Sequence, residues 1–216
     1  MPQRERYSIV IVDDHPLFRR GVRELLELEP GFDVVAEAGT REEALKCVRE
    51  HEPDLTILDL NIRGSSGVEI LSTLKEEDPS RRIVVLTVSD ACQDLTACIQ
   101  AGADGYFLKD MEPEEFLTSV RRTLDGKTII DASMMTLLTA SLRNKAHTGE
   151  TSQPELTDRE KDVLTLIAEG CPNKIIARRL EISEGTVKGH VKHLLRKLGC
   201  RSRVEAAVWA SQHKAA

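Results

Sequence analysis

The strongest constraint on the fold is a fivefold alternation of short apolar runs with amphipathic stretches in the first half of the chain. The runs are rich in Val and Ile and cover residues 8–12, 33–38, 55–60, 82–88 and 105–109. Most of them lack polar–apolar alternation, which is typical of strands that are covered on both faces. The pattern predicts an α/β domain with a doubly wound, five-stranded parallel sheet and helices on both faces.

The C-terminal part of the chain has a different pattern, in which apolar residues recur at helical spacing. Four such segments cover residues 156–170, 173–182, 183–199 and 202–213. Thr157 and Glu160 form a predicted capping box, Ser183 is a predicted N-cap, and Gly199 is a stop signal. Four short helices with a tight break between the second and third predict an all-α helix-turn-helix domain.

A polar stretch with Gly149 and Pro154 separates the two patterns and reads as a linker. A weaker helical pattern at 132–144 precedes it. We therefore expect a first domain over residues 1–128, a tether helix and flexible linker over 129–155, and a second domain over 156–216.

Charge divides the chain at the same place. Residues 156–216 hold 12 Lys and Arg against 7 Asp and Glu, a net charge of +5, whereas the remainder carries −11. The two halves are expected to meet different partners. The basic helical half suits nucleic acid, and a protein-binding module with a solvated basic face is the alternative.

Other functional classes find little support in the composition. Five cysteines include no Cys-x-x-Cys pair, which argues against a disulfide framework or a zinc site. The chain begins without a signal-peptide pattern, and no apolar run approaches the length of a membrane span. We expect a cytoplasmic protein without a membrane partner.

Polar residues that could bind a ligand or react follow several of the predicted strands. Parallel sheets bind ligands at this edge, outside the carboxyl ends of their strands. These residues are Asp13, Asp14, Asp59, Thr87 and Lys109. A single aspartate after a strand is usually a turn former or helix cap. Three aspartates, a hydroxyl and a lysine at one edge instead indicate a site.

The chemistry of this set points to a divalent cation and a phosphoryl group. Three carboxylates repel one another unless a cation joins them, and oxygen ligands suit Mg²⁺. Asp59, on the central strand, is the expected nucleophile that forms an acyl phosphate. Lys109 and Thr87 are placed to bind the phosphoryl oxygens.

Several segments resemble a known family. "VDDHP", "LDLN", "LTVS" and "ADGYFLKD" resemble the receiver domain of two-component response regulators. The segment that begins "LTDREKDVLTLIAEG" resembles the LuxR-type helix-turn-helix of the NarL/FixJ family. The resemblance covers nearly the whole chain, is strongest to nitrate/nitrite response regulators, and implies the flavodoxin-like strand order 2-1-3-4-5.

The resemblance implies a metal site and a phosphoacceptor in the first domain. Asp59 would be phosphorylated by a sensor histidine kinase. Asp14, Asp59 and the backbone carbonyl of Asn61 would ligate Mg²⁺, with Asp13 acting directly or through water.

The same resemblance implies a switch. Lys109 and Thr87 would bind the phosphoryl group, and Tyr106 would turn inward when Thr87 moves. Asn61 and Ser89 would set how readily water hydrolyses the phosphate.

For the second domain the resemblance implies binding to double-stranded promoter DNA. Lys188, Gly189 and Lys192 would face the bases. Expected phosphate contacts come from Lys174, Arg178, Ser183 and Thr186. The last helix would pair two copies on a two-fold site through Val204, Val208 and Trp209.

The predicted function is a transcription factor switched by phosphorylation of Asp59, which releases the helix-turn-helix to dimerise on DNA. RNA polymerase is an expected partner, and nitrate/nitrite-responsive anaerobic respiration genes are expected targets. Only self-phosphorylation from a donor and self-dephosphorylation are expected as enzymatic activity. The alternatives are an Mg²⁺-dependent phosphohydrolase with Asp59 as nucleophile and a DNA-binding protein whose receiver is only structural.

Two positions depart from the family pattern. Receivers of this kind usually read Met-Pro-Gly after "LDLN", whereas this chain has Ile62-Arg63-Gly64. Arg63 adds a charge near the phosphorylation site and removes a rigid proline. Gly189 replaces a valine that could touch a thymine methyl, and it weakens the helix by about 1 kcal/mol relative to alanine.

Overall fold

The structure is a computed structural model that describes residues 6–89, 91–125 and 156–213. The predicted tether helix and linker at 129–155 lie outside the described residues. We call residues 6–125 the sheet domain and residues 156–213 the helical domain.

Five parallel strands form the centre of the sheet domain: β1 Tyr7–Val12, β2 Phe32–Ala38, β3 Leu55–Leu58, β6 Ile83–Thr87 and β7 Gly105–Leu108. They lie in the order β2-β1-β3-β6-β7. A two-stranded antiparallel hairpin, β4 Asn61–Ile62 and β5 Ser65–Ser66, follows β3. The predicted doubly wound sheet and its strand order are confirmed, and the hairpin is an addition.

Five helices cover the two faces of the sheet. They are α1 Pro16–Glu27, α2 Arg41–His51, α3 Gly67–Glu77, α4 Cys92–Ala101 and α5 Pro113–Leu124. α1 and α5 bury Leu26 and Val120 against the side of β1 that carries Ile9 and Ile11. α2, α3 and α4 pack against the opposite side of the same strand. Burial on both faces explains why the strands read as continuous apolar runs.

The helical domain contains four helices around a separate apolar core. They are α6 Asp158–Ala168, α7 Asn173–Leu180, α8 Glu184–Leu198 and α9 Arg203–His213. The predicted capping box between Thr157 and Glu160 is present, and Ser183 caps α8. Gly199 ends α8 at a φ of 65°, a conformation that favours glycine. In the described part of the chain, no helix is long and apolar enough to cross a membrane.

Gly67 lets α3 begin directly against the loop that follows β3. Its N–H donates to the Leu60 carbonyl at 2.8 Å. A Cβ atom at this position would lie 2.3 Å from the Asp59 carbonyl oxygen and 2.6 Å from the Leu60 Cα. Both neighbours are backbone atoms, so a side chain at position 67 can enter only if the Asp59 loop moves.

We expect Gly67→Ala to lower the free energy of unfolding of the full chain by about 1 to 3 kcal/mol, the usual cost of overpacking. Urea unfolding followed by circular dichroism measures this. Gly21→Ala on α1 is the matched control, because nothing lies within 4 Å of its added Cβ. That control should gain about 0.5 to 1 kcal/mol from helix propensity. Equal stability of Gly67→Ala and the parent protein would contradict the close approach.

Candidate functional site

The five polar residues predicted at the carboxyl edge of the sheet lie on loops and strand ends that converge there. Asp13 and Asp59 directly follow β1 and β3, and both are buried. Lys109, after β7, lies between them, with its Nζ 2.7 Å from Asp13 Oδ2 and 2.7 Å from Asp59 Oδ2. The lysine therefore neutralises one oxygen of each carboxylate.

Two oxygens of this cluster have no hydrogen-bond partner. Asp14 Oδ1 and Asp59 Oδ1 are buried and unsatisfied, an arrangement that is costly unless a cation compensates it. Asp13, Asp14, His15 and Asp59 each place a potential ligand atom within 4.8 Å of the others. Oxygen-rich and with spare lone pairs, the site fits a hard divalent cation such as Mg²⁺.

Burial and charge shift the titration of the two central groups. Burial raises the pKa of the Asp59 carboxyl above its ordinary value, against the hydrogen bond and charge of Lys109, and the nearby Asp13 charge also raises it. The pKa of the Lys109 ammonium is raised, because its bonds to Asp13 and Asp59 outweigh the lowering by burial. Lys109 is therefore cationic at neutral pH. A further positive charge beside Asp59 would favour the ionised form of its carboxyl group.

The predicted switch residues lie along the β6 end of the site. Thr87 is fully buried, and its Oγ1 accepts a hydrogen bond from the Ser89 N–H at 3.2 Å. The half-buried Tyr106 donates from its hydroxyl to the Ser89 carbonyl at 2.7 Å. Ser89 in turn contacts Asp94 in the first turn of α4 at 2.5 Å. A shift of the Thr87 hydroxyl would thus reach Tyr106 and α4 through one loop residue.

Two residues beside the aspartates have contacts that the sequence did not reveal. The Arg63 N–H and guanidinium both face Asp14 Oδ2, at 3.2 and 3.3 Å. The His15 N–H donates to Asp13 Oδ1 at 2.7 Å. The His15 Nδ1 lies 2.7 Å from Asp14 Oδ1 without making a hydrogen bond to it. The only signal for His15 was its position directly after the aspartate pair.

The helical domain turns its predicted DNA-reading helix, α8, toward the sheet domain. Lys188 Nζ lies 3.4 Å from Asp54 Oδ1, and Lys192 Nζ lies 3.0 Å from Asp78 Oδ2. The pKa of Asp78 is lowered, because bonds from Ser80 and Lys192 outweigh the raising by burial. Two lysines predicted to face DNA bases are thus paired with carboxylates of the same chain.

Further contacts flank these ion pairs. Arg196 donates to the Glu77 carbonyl at 3.2 Å, and Arg201 donates to the Gln100 carbonyl at 2.8 Å. Gly189 lines a cavity of about 230 Å³ between the two domains. We call the surface formed by the two ion pairs and these two bonds the interdomain contact. No pattern in the sequence singles out Asp54 or Asp78.

The residues predicted to contact DNA phosphates are exposed to solvent. Four residues are exposed on α7 and at the start of α8: Lys174, Arg178, Ser183 and Thr186. The hydroxyl of Ser183 is used to cap α8, since it accepts from the Thr186 N–H at 3.0 Å.

The predicted dimer face lies on α9. Val204 and Val208 are buried within this chain, and Trp209 is partly buried against the helical core. Two copies of the chain could therefore pair through this face of α9 only after its buried valines become exposed.

Comparison with known proteins agrees with this division of the chain. Residues 9–121 match the family described as response regulator receiver domain. Residues 154–210 match bacterial regulatory proteins of the luxR family. The chain belongs to the response regulator family. It combines a receiver with a LuxR-type DNA-binding domain, the composition of a two-component transcription regulator.

Similar proteins match over essentially the full length. The nitrate/nitrite response regulator protein NarL of Escherichia coli K12 is 45% identical over 214 residues, 99% of each chain. NarP of the same organism, also a nitrate/nitrite response regulator protein, is 45% identical over 218 residues, 100% of each chain. Among solved structures, the response regulator RcsB in a complex with DNA is 25% identical, with a TM-score of 0.56 over 97% of this response regulator and 100% of that chain.

Proposed function

We propose that this response regulator is a cytoplasmic transcription factor that a sensor histidine kinase switches by phosphorylating Asp59. The unphosphorylated chain holds α8 against the sheet domain, and phosphorylation releases it to bind promoter DNA. The observation that carries the proposal is the pairing of Lys188 and Lys192 with carboxylates of the sheet domain. The proposed boundaries are a receiver over 1–128, a tether over 129–155 and a DNA-binding domain over 156–216.

The transfer step places the phosphoryl group on Asp59. A carboxylate oxygen of Asp59 attacks phosphorus, a P–O bond forms, and the bond from phosphorus to the donor's histidine nitrogen breaks. Asp13, Asp14, Asp59 and the Asn61 carbonyl would hold Mg²⁺, which supplies charge compensation for the phosphoryl oxygens. Lys109 exchanges its carboxylate contact for a phosphoryl oxygen, and Thr87 donates its hydroxyl to another. Asn61 and Ser89 would set how readily water hydrolyses the product.

The site and the interdomain contact lie at opposite edges of the sheet. Asp54 precedes β3 and Asp59 follows it, so about 16 Å of extended chain separates them. Helix α4 spans the same distance along the outside. Its first turn contacts Ser89 through Asp94, and the Gln100 carbonyl in its last turn accepts from Arg201. Movement of Thr87 and Tyr106 on phosphorylation would shift α4 and loosen the helical domain.

The expected partners follow from the family and its relatives. The relatives' names point to nitrate or nitrite as the stimulus, which a partner kinase would sense. The proposed targets are genes of anaerobic respiration. Released copies would dimerise through α9, where Val204, Val208 and Trp209 lie, and would bind a two-fold site. Bound dimers would activate or repress transcription through RNA polymerase.

The test is the intact mass of the protein after incubation with acetyl phosphate, with and without Mg²⁺. One phosphoryl group should be added to the parent protein only when Mg²⁺ is present, and none to Asp59→Asn. Binding to duplex promoter DNA, measured on the same samples, should rise only for the modified protein.

Other outcomes would favour the alternatives. If Asp59→Asn kept inducible DNA binding, the receiver would be only structural. Steady turnover of small phosphate esters by the parent protein would indicate a phosphohydrolase.

A further inference from the structure

Arg63 directs two donor groups at a single oxygen of Asp14. Its backbone N–H donates to Asp14 Oδ2 at 3.2 Å, and its guanidinium Nε lies 3.3 Å from the same atom. The β4–β5 turn, which Gly64 completes at a φ of 75°, holds the Arg63 backbone over the site. Proline, usual at this position in similar receivers, has neither an N–H nor a charge. Both contacts therefore depend on this chain's departure from the pattern.

The two partners differ in exposure. The Arg63 side chain is 83% exposed, whereas that of Asp14 is 7% exposed. Lys109 pairs with Asp13 and Asp59. Among the described residues, Arg63 is the lysine or arginine that pairs with the third carboxylate, Asp14. An ion pair with one exposed partner is worth only about 0.2 to 1 kcal/mol. Arg63 can thus offset the negative charge of Asp14 through a contact that is weak enough to be broken easily.

We propose that Arg63 is an internal competitor of the divalent cation at Asp14. It occupies the carboxylate in the metal-free sheet domain and leaves toward solvent when the cation binds. This inference rests on the proposed function, because the cation is the one that serves phosphorylation of Asp59. It makes Arg63 a residue that sets the cation concentration at which the acidic site is loaded.

The contact geometry favours competition over a purely structural role. The exposed guanidinium contacts Asp14 Oδ2. Asp14 Oδ1 has no hydrogen-bond partner, although His15 Nδ1 lies 2.7 Å away, and it is the oxygen left for a ligand. A cation that binds between Asp14 and Asp59 places positive charge close to the guanidinium, and like charges at short range repel. The exposed side chain is free to rotate away at the cost of one weak pair.

The experiment is a titration of the full chain with Mn²⁺, followed by electron paramagnetic resonance and repeated with Mg²⁺ as competitor, without any phosphodonor. Arg63→Gln should lower the dissociation constants of both ions about two- to fivefold, which corresponds to the energy of an exposed ion pair. Arg20→Gln is the matched control. It removes the same charge from an exposed ion pair with Glu24 on α1 and should leave both constants unchanged.

Each contrary outcome has a distinct meaning. Equal constants for the parent protein and Arg63→Gln would overturn the competition and leave the proposed function standing. Equal tightening in Arg20→Gln and Arg63→Gln would reduce the effect to net charge and overturn the contact at Asp14. Absence of cation binding in all three proteins would overturn the metal site of the proposed function together with this inference.

Discussion

Asp104→Ala should lower the free energy of unfolding of the full chain by about 3 to 5 kcal/mol. Asp104 and Lys75 form a buried ion pair at 2.7 Å, with side chains that are 7% and 1% exposed. Asp104 also accepts from the Ile83 N–H at 2.9 Å. Removing the carboxylate leaves an ammonium group in the core with only the carbonyls of Pro79 and Arg81 as partners. The expected loss is large because the remaining charge stays buried.

Urea unfolding monitored by circular dichroism measures this loss, and two further variants interpret it. Glu24→Ala breaks the exposed pair with Arg20 and should change stability by no more than about 0.5 kcal/mol. The double variant Lys75→Met with Asp104→Ala removes both charges and should recover part of the loss. A loss for Asp104→Ala as small as that for Glu24→Ala would show that Lys75 reaches water.

The fold could be predicted from the sequence because its signals are local and repeated. Five apolar runs separated by capped helical segments leave few arrangements other than a doubly wound sheet. The strand bounds were correct to within two residues. The largest difference is β3, which ends at Leu58 because the chain turns into the β4–β5 hairpin. Strands of two residues carry no periodicity, so the hairpin had no signal of its own.

The carboxyl-edge site could be predicted for a similar reason. Parallel strands bring their ends together, so Asp13, Asp59 and Lys109 were expected at one edge before any distance was known. The contact of Arg63 with Asp14 depends on the β4–β5 hairpin. Because the sequence pattern does not predict this hairpin, it could not predict the contact either. The departure from the family pattern marked the position but not its partner.

The interdomain contact lay beyond pattern reasoning, because its ion pairs join residues that are 134 and 114 positions apart. No spacing rule links Lys188 to Asp54 or Lys192 to Asp78. The imbalance between an acidic first part and a basic second part is the available signal, and from the sequence alone it indicates different partners. The structure shows that it also serves attraction between the two domains of one chain.

Asp54→Asn combined with Asp78→Asn should therefore tighten binding of the unphosphorylated chain to duplex promoter DNA about tenfold. Each half-exposed ion pair is worth about 0.7 kcal/mol, and losing both shifts the closed–open balance by about 1.4 kcal/mol. Varying the acidic partners leaves Lys188 and Lys192 intact for DNA, whereas varying the lysines would remove both contacts at once. Fluorescence anisotropy of a labelled duplex, without a phosphodonor, measures the change.

The matched control is Glu42→Gln combined with Glu114→Gln, which removes two negative charges from exposed positions in the first turns of α2 and α5. This control should bind DNA nearly as the parent protein does, apart from a small long-range effect that salt screens. After phosphorylation, the Asp54/Asp78 variant and the parent protein should converge, because the interdomain contact is then already broken. If the variant gained no affinity, or kept its advantage after phosphorylation, these ion pairs would not hold α8 away from DNA.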